Sequence, residues 1–182
     1  MTVAERALDY IHDGHVVGLG TGRTATLFIQ ALAERVKAGL AVRGVASSRA
    51  SADLARRLGI PLTTLDEVET IDVTVDGADE VDPRLNLIKG RGGALVREMI
   101  VAASARQFIV VVGKGKLVPT LGGRGVLPVE VVPFALGFCR RRLTEIGCQS
   151  EPRQTGDALY LTDNGNPILD CRIDAIPDPE EL

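Results

Sequence analysis

Asp76 and Asp79 share the stretch Asp-Gly-Ala-Asp, Glu98 follows Arg97 inside an apolar helical run, and Lys89 leads Gly90-Arg91-Gly92-Gly93. Carboxylates and a lysine of this kind can take a proton from carbon, with the lysine or a backbone N–H holding the developing oxyanion. Three other uses compete. Asp76 and Asp79 can close an Asx turn, Glu98 can favour its helix N-terminus, and two carboxylates at spacing three can hold Mg²⁺ together with a phosphate. The magnesium reading ranks below acid–base work.

Three glycine-rich segments each follow directly on an apolar run. They are Gly18-Leu19-Gly20-Thr21-Gly22-Arg23-Thr24, then Lys89-Gly90-Arg91-Gly92-Gly93, then Gly113-Lys114-Gly115-Lys116. Glycines at such turns let backbone N–H groups approach an anion, and a helix N-terminus adds favourable partial charge. If all three loops close strands of one parallel sheet, Arg23, Lys89, Arg91, Lys114 and Lys116 converge on its carboxyl edge, where ligands bind. That arrangement is an anion pocket suited to phosphate. A dinucleotide fits poorly, because Arg23 stands at the third glycine of G-x-G-x-x-G and no acid follows about 20 residues later. The Walker A ending is also missing.

The elements that must carry these loops are legible as periodicity. Thr2 and Glu5 form a capping box ahead of a helix that Asp13-Gly14 stops. Apolar runs at 15–19, 41–46, 71–75, 85–88 and 107–112 read as strands, and helical patterns lie at Leu27, Phe28, Ala31, Leu32 and Val36, at 47–58 and near 94–105, with Ser47 or Ser48 as a cap. Alternating strands and helices with near-continuous apolar strands indicate a mostly parallel sheet covered on both faces. The pattern changes at Gly122-Gly123-Arg124-Gly125, which suggests a linker between an α/β domain of residues 1–123 and a small α+β domain of residues 124–182. In the second part we expect a strand at 128–132, a helix at 134–146, and strands at 158–161 and 168–171 joined as a hairpin through Asn164-Gly165. The last six residues resemble a helix start with nothing after it, so the chain is expected to be shorter than its natural form.

Composition narrows the classes. The chain has 182 residues, 45% apolar and 25% charged, with 21 Lys+Arg against 24 Asp+Glu for a net charge of −3. That is the range of globular proteins able to bury a core. Its 20 glycines exceed the usual share of roughly 7%. A weakly acidic chain with 3% aromatics and no Trp is a poor nucleic-acid binder. No apolar run approaches the roughly 20 residues of a membrane span, and no secretory h-region opens the chain. Three scattered cysteines, Cys139, Cys148 and Cys171, make neither a disulfide framework nor a zinc site and suit the reducing cytoplasm. His12 and His15 read as surface histidines, and Arg140 to Arg142 as a solvated helix face.

Taken together, the segments resemble the A-type ribose-5-phosphate isomerases. The matching stretches are 18–25, 75–80 and 88–98, then Lys116, Leu127-Pro128-Val129-Glu130-Val131-Val132-Pro133 and Leu161-Thr162-Asp163-Asn164-Gly165-Asn166. The resemblance implies a Rossmann-like α/β domain with a ferredoxin-like second domain, and metal-free, cofactor-free interconversion of ribose 5-phosphate and ribulose 5-phosphate through an enediolate. It makes Glu98 the proton acceptor and Lys89 the oxyanion stabiliser, and it assigns sugar binding and ring opening to Asp76 and Asp79. Thr21, Gly22, Arg23, Thr24, Gly77, Ala78, Gly90, Arg91, Gly92 and Lys116 complete the expected substrate contacts. Arg23 stands where many relatives have Ser, Arg91 where many have Gly, and Gly113 where relatives often carry Asp. A cytoplasmic homodimer is expected. The rival readings are a non-catalytic sugar-phosphate sensor on the same scaffold and an isomerase of a related aldose phosphate.

Overall fold

The computed structural model describes residues 2–176, 178 and 179. In chain order its elements are α1 (Val3–Ala7), β1 (Val16–Leu19), α2 (Arg23–Lys37), β2 (Arg43–Ala46), α3 (Arg49–Arg57), β3 (Ile71–Asp76), β4 (Glu80–Val81), β5 (Leu87–Ile88), α4 (Leu95–Ala103) and β6 (Ala105–Val110). They continue with β7 (Val126–Glu130), α5 (Leu136–Glu145), β8 (Gln149–Pro152), β9 (Gln154–Thr155), β10 (Ala158–Leu159) and β11 (Ile168–Arg172). The chain forms two compact units, Met1–Gly77 with Val96–Gly113, and Ala78–Leu95 with Lys114–Leu182.

The first unit is built on a four-stranded sheet in the order β2-β1-β3-β6, with every pairing parallel. The expected open parallel sheet is therefore present. Strand alternation sends Val17, Leu19, Val73 and Val75 to one face, where they pack with Ala4 and Ala7 of α1, Phe28 and Leu32 of α2, and Ala55 of α3. Val16 and Val45 point the other way and meet Val101 of α4. The caps behave as their sequence requires. Thr2 and Glu5 close the capping box, and the Ser48 hydroxyl accepts the Ser51 N–H at 3.1 Å at the start of α3.

The second unit holds a three-stranded antiparallel sheet, β7-β11-β8, covered by α5. Val131, Cys148, Leu169 and Cys171 form its buried core with Leu136, Cys139 and Leu143 of α5 packed against them. The unit also contains the β4–β5 hairpin and a second cluster of Ile88, Val118, Leu121 and Ile176.

Several expectations change here. The strand that precedes Lys89 does not join the parallel sheet; β5 pairs antiparallel with β4, a short strand absent from the sequence reading. The three glycine-rich loops therefore do not all close strands of one sheet. The reason is length: the 80–88 segment has only two pairing residues per strand and turns back on itself through Asp82 and Asn86. The expected hairpin of 158–161 with 168–171 is also replaced. β10 pairs with β9, β11 pairs with β7 and β8, and only an isolated bridge, Leu161 to Pro167, remains. The Glu130 carboxylate explains this. It accepts hydrogen bonds from Thr162, Asn164 and Asn166, which closes 162–166 into a clamped loop instead of a strand turn. The segment at Gly122–Gly125, expected as a linker, lies inside the second unit, where Glu80 binds its backbone. The helix start expected at residues 177–182 falls mostly outside the described residues.

Candidate active site

In the first unit the site begins where β1 and β3 end side by side. Leu19 is in register with Val75, and the Gly20 N–H donates to the Val75 carbonyl at 3.0 Å. Asp76, the last residue of β3, is 2% exposed. Its Oδ1 accepts the Thr21 N–H at 3.1 Å and the Gly77 N–H at 2.7 Å. Two backbone donors on one oxygen give the buried carboxylate the partners it needs. Gly20 makes the approach possible, because a Cβ there would stand 2.2 Å from Asp76 Oδ1.

The Thr21 hydroxyl is held from the other side by serines. It lies 2.8 Å from Ser47 Oγ, 2.9 Å from Ser48 Oγ and 3.3 Å from Ser51 Oγ. Ser51 Oγ donates to the Gly20 carbonyl at 2.6 Å, and Ser47 Oγ to the Leu19 carbonyl at 3.0 Å. Sequence reasoning reduced these serines to a helix cap. The signal that could have found them is Ser-Ser-x-x-Ser placed at the end of the strand next to the glycine loop.

Helix α2 starts from Gly22, which offers no side-chain cap to the first-turn N–H groups. Backbone donors at a helix start of this kind favour negative charge. Thr24 lies beside Gly77, where an added Cβ would stand 3.6 Å from the Thr24 Cβ, an ordinary van der Waals contact. Arg23 is exposed.

Glu98 is 4% exposed and sits in the first turn of α4. Helix α4 runs into β6 through Ser104 alone, so it travels opposite to the strands and its N-terminal turn lies toward their carboxyl ends. Val101 fixes the register, since its carbonyl accepts the Thr74 hydroxyl at 3.2 Å. Glu98 is about 4.5 Å along the helix from Val101, and Asp76 is roughly 6.6 Å along the strand from Thr74. Both displacements run toward the same edge, so the fold brings Glu98, Asp76 and the Gly20–Gly22 loop to one end of the sheet.

In the second unit Asp79 is the hub. Its N–H donates to the Ile88 carbonyl at 2.7 Å, its Oδ2 accepts the Arg91 N–H at 3.0 Å, and its Oδ1 lies 3.9 Å from Lys116 Nζ. Lys89 is half-buried between these points in the chain. Lys116 lies in a single 3₁₀ turn, Lys114–Lys116, followed by Val118, whose N–H donates to the Val81 carbonyl. The Arg91 side chain reaches the Arg124 carbonyl at 3.1 Å, and Arg124 in turn donates to the Gly115 carbonyl. Glu80, 2% exposed, accepts the N–H groups of Gly122 and Arg124. Lys114 and Gly113 are exposed.

A separate cavity of about 880 Å³ in the first unit is lined by Val45, Ser48, Arg49, Leu62, Glu67 and Arg97, among others, and by none of the residues assigned to the substrate. Among the described residues no group of His, Cys, Asp or Glu is arranged to hold a metal ion. No described helix is long and apolar enough to cross a membrane.

Known proteins match this arrangement along nearly its whole length. The model of the family "ribose 5-phosphate isomerase A (phosphoriboisomerase A)" matches residues 43–182. A ribose-5-phosphate isomerase A of Roseiflexus castenholzii is 52% identical, over 98% of this chain and 78% of its own length. A D-ribose-5-phosphate isomerase solved in complex with phospho-erythronic acid superposes with a TM-score of 0.94 at 43% identity, covering 98% of this chain and 80% of that one. The ribose 5-phosphate isomerase A of Methanocaldococcus jannaschii gives a TM-score of 0.94 at 42% identity, over 100% of this chain and 81% of its own. With its parallel sheet, its antiparallel second unit and these matches, the chain belongs to the ribose 5-phosphate isomerase A family.

Proposed function

We propose that Glu98 is the base with which this chain interconverts ribose 5-phosphate and ribulose 5-phosphate. The reaction is that of the family, and one solved relative binds phospho-erythronic acid, a phosphorylated sugar acid. The carboxylate of such an acid carries charge where an enediolate does. The observation that supports Glu98 is its burial in the first turn of α4, at the sheet edge where Asp76 also ends.

In the aldose-to-ketose direction Glu98 takes the proton from C2 of the open-chain sugar. The electron pair shifts toward C1 and the aldehyde oxygen becomes an oxyanion, which Lys89 holds. A proton then passes from O2 to O1, and Glu98 returns its proton to C1 to give the ketose. No electrons leave the substrate, so the step needs no redox cofactor. Asp76 and Asp79 bind sugar hydroxyls and assist ring opening. The segment Thr21-Gly22-Arg23-Thr24 and Lys116 bind the phosphate, consistent with the uncapped start of α2. Gly77, Ala78, Gly90, Arg91 and Gly92 line the sugar through their backbone.

We also place the protein in the cytoplasm as a homodimer that binds neither nucleic acid nor membrane. The dimer is supported by exposed apolar side chains around the start of α5, with Phe134 99%, Val132 61% and Phe138 58% exposed. Sedimentation measures it directly.

The deciding experiment follows ketose formation from ribose 5-phosphate under EDTA, with Glu98→Gln run beside the unaltered chain. Turnover that survives EDTA and falls by roughly 10²–10⁴ in the variant supports the assignment. Near-normal turnover in Glu98→Gln refutes Glu98 as the base.

A further inference from the structure

The loop that carries Lys89 is tied to a residue far along the chain. Arg153 Nη1 donates to the Arg91 carbonyl at 3.0 Å. The same guanidinium is gripped by Asp170, with Nε to Oδ2 at 2.9 Å and Nη2 to Oδ1 at 2.6 Å. The pair is mostly shielded, with side-chain exposures of 15% for Arg153 and 25% for Asp170. A bidentate grip fixes the plane of the guanidinium, so its third bond has a set direction.

Tyr160 adds a second point of contact. The Arg153 guanidinium carbon lies 5.8 Å from the Tyr160 ring centroid, and the Tyr160 N–H donates to the Arg153 carbonyl at 2.9 Å. The Tyr160 hydroxyl lies against Gly93, where a Cβ would stand 2.1 Å from it. Gly93 also has φ +81°, a conformation that glycine adopts without strain. The Arg91 backbone is therefore held in both its flanking peptides, its N–H by Asp79 and its carbonyl by Arg153.

We propose that Arg153, fixed by Asp170, is a positioning residue for the 89–93 loop and sets the place of Lys89 through the Arg91 peptide. The inference rests on the oxyanion role given to Lys89 above. An oxyanion stabiliser acts on charge that develops in the transition state. Loosening its loop therefore lowers kcat more than it raises KM.

The test compares Arg153→Ala, Arg153→Lys and the unaltered chain in two measurements. The first is turnover of ribose 5-phosphate. Arg153→Ala is expected to lose roughly 10–100-fold in kcat with KM changed less than about threefold, the cost of misplacing a reacting group by about 1 Å. Arg153→Lys restores part of that loss, because an ammonium supplies a donor but not the fork. Added methylguanidinium restores part of it in Arg153→Ala. The second measurement is amide hydrogen exchange of residues 89–93, expected to quicken about tenfold or more in Arg153→Ala while exchange in β1 and β3 is unchanged. Unchanged kcat in Arg153→Ala overturns the proposal, as does a kcat loss with unchanged loop exchange. If the unaltered chain does not turn over ribose 5-phosphate, the functional reading fails, and exchange alone still decides whether Arg153 holds the loop.

Discussion

The buried Asp76 carboxylate accepts the Thr21 N–H at 3.1 Å, across the parallel pair of β1 and β3. The bond joins the two segments that the proposed function assigns to opposite ends of the substrate, the anion-binding loop and the Asp-Gly-Ala-Asp carboxylates. Its consequence is that the loop and the carboxylate are positioned by each other, and neither is free to adapt alone.

Replacement of Gly20 by alanine tests that coupling. The added methyl would overlap the Asp76 carboxylate, and one of the two must move. We expect a loss of about 1–3 kcal/mol in unfolding free energy and a fall in kcat/KM larger than that loss of folded protein explains. Denaturant unfolding beside steady-state kinetics measures both. Unaltered kinetics would show that the loop and Asp76 move independently.

Lys116→Ala is expected to act mainly on binding. Lys116 is partly exposed and 3.9 Å from Asp79, so its loss costs little stability at a solvent-screened pair. Removal of a phosphate-binding charge should raise KM about tenfold or more with a smaller change in kcat. An unchanged KM would remove Lys116 from the phosphate site.

The turn between β4 and β5 predicts a pH dependence of stability. Burial raises the Asp82 carboxyl, but hydrogen bonds from the Asn86 side chain, the Asn86 N–H and the Arg84 N–H, with the Arg84 charge, outweigh it and hold it below the usual carboxylate range. A carboxyl lowered by folding stabilises the native state above its unfolded value, and that contribution is lost as pH falls through the folded value. Asp82→Asn should therefore be less stable than the unaltered chain at pH 7, and the difference should begin to shrink only as pH falls below about 4 and vanish beneath the lowered folded value. Urea midpoints measured across pH 3–7 check this; a constant difference would contradict it.

Cys171 should resist thiol reagents in the native protein. Burial pushes its thiol up to about 12, with a hydrogen bond and charge from Cys148 adding to the rise. At pH 8 iodoacetamide is expected to modify the half-buried Cys139 first and to leave Cys171 unmodified until denaturant is added. Mass spectrometry of digested, labelled protein gives the order directly.

Much of this protein is local and therefore legible in order along the chain. The Thr2–Glu5 capping box, the Ser48 cap and the apolar strands depend on residues a few positions apart, and the structure has them where the pattern puts them. The glycine runs, Asp76, Asp79, Lys89 and Glu98 stand out by type and spacing. Pairing partners were not legible. Both β5 and the 158–161 segment had the composition of strands, yet their neighbours were chosen by contacts far away in sequence. Glu130 closing the 162–166 loop and Glu80 binding the 122–124 backbone are side-chain decisions that no periodicity records. The same holds for Ser47 and Ser51 against Thr21, and for Arg153 against Arg91. The sequence by itself determined the strands and helices of the parallel sheet, the family resemblance and the residue types available for chemistry, because those follow from propensity and spacing within a few turns of chain. Only the tertiary structure decided which buried polar group satisfies which, because a carboxylate or guanidinium removed from water takes whatever partner the folded backbone brings within about 3 Å.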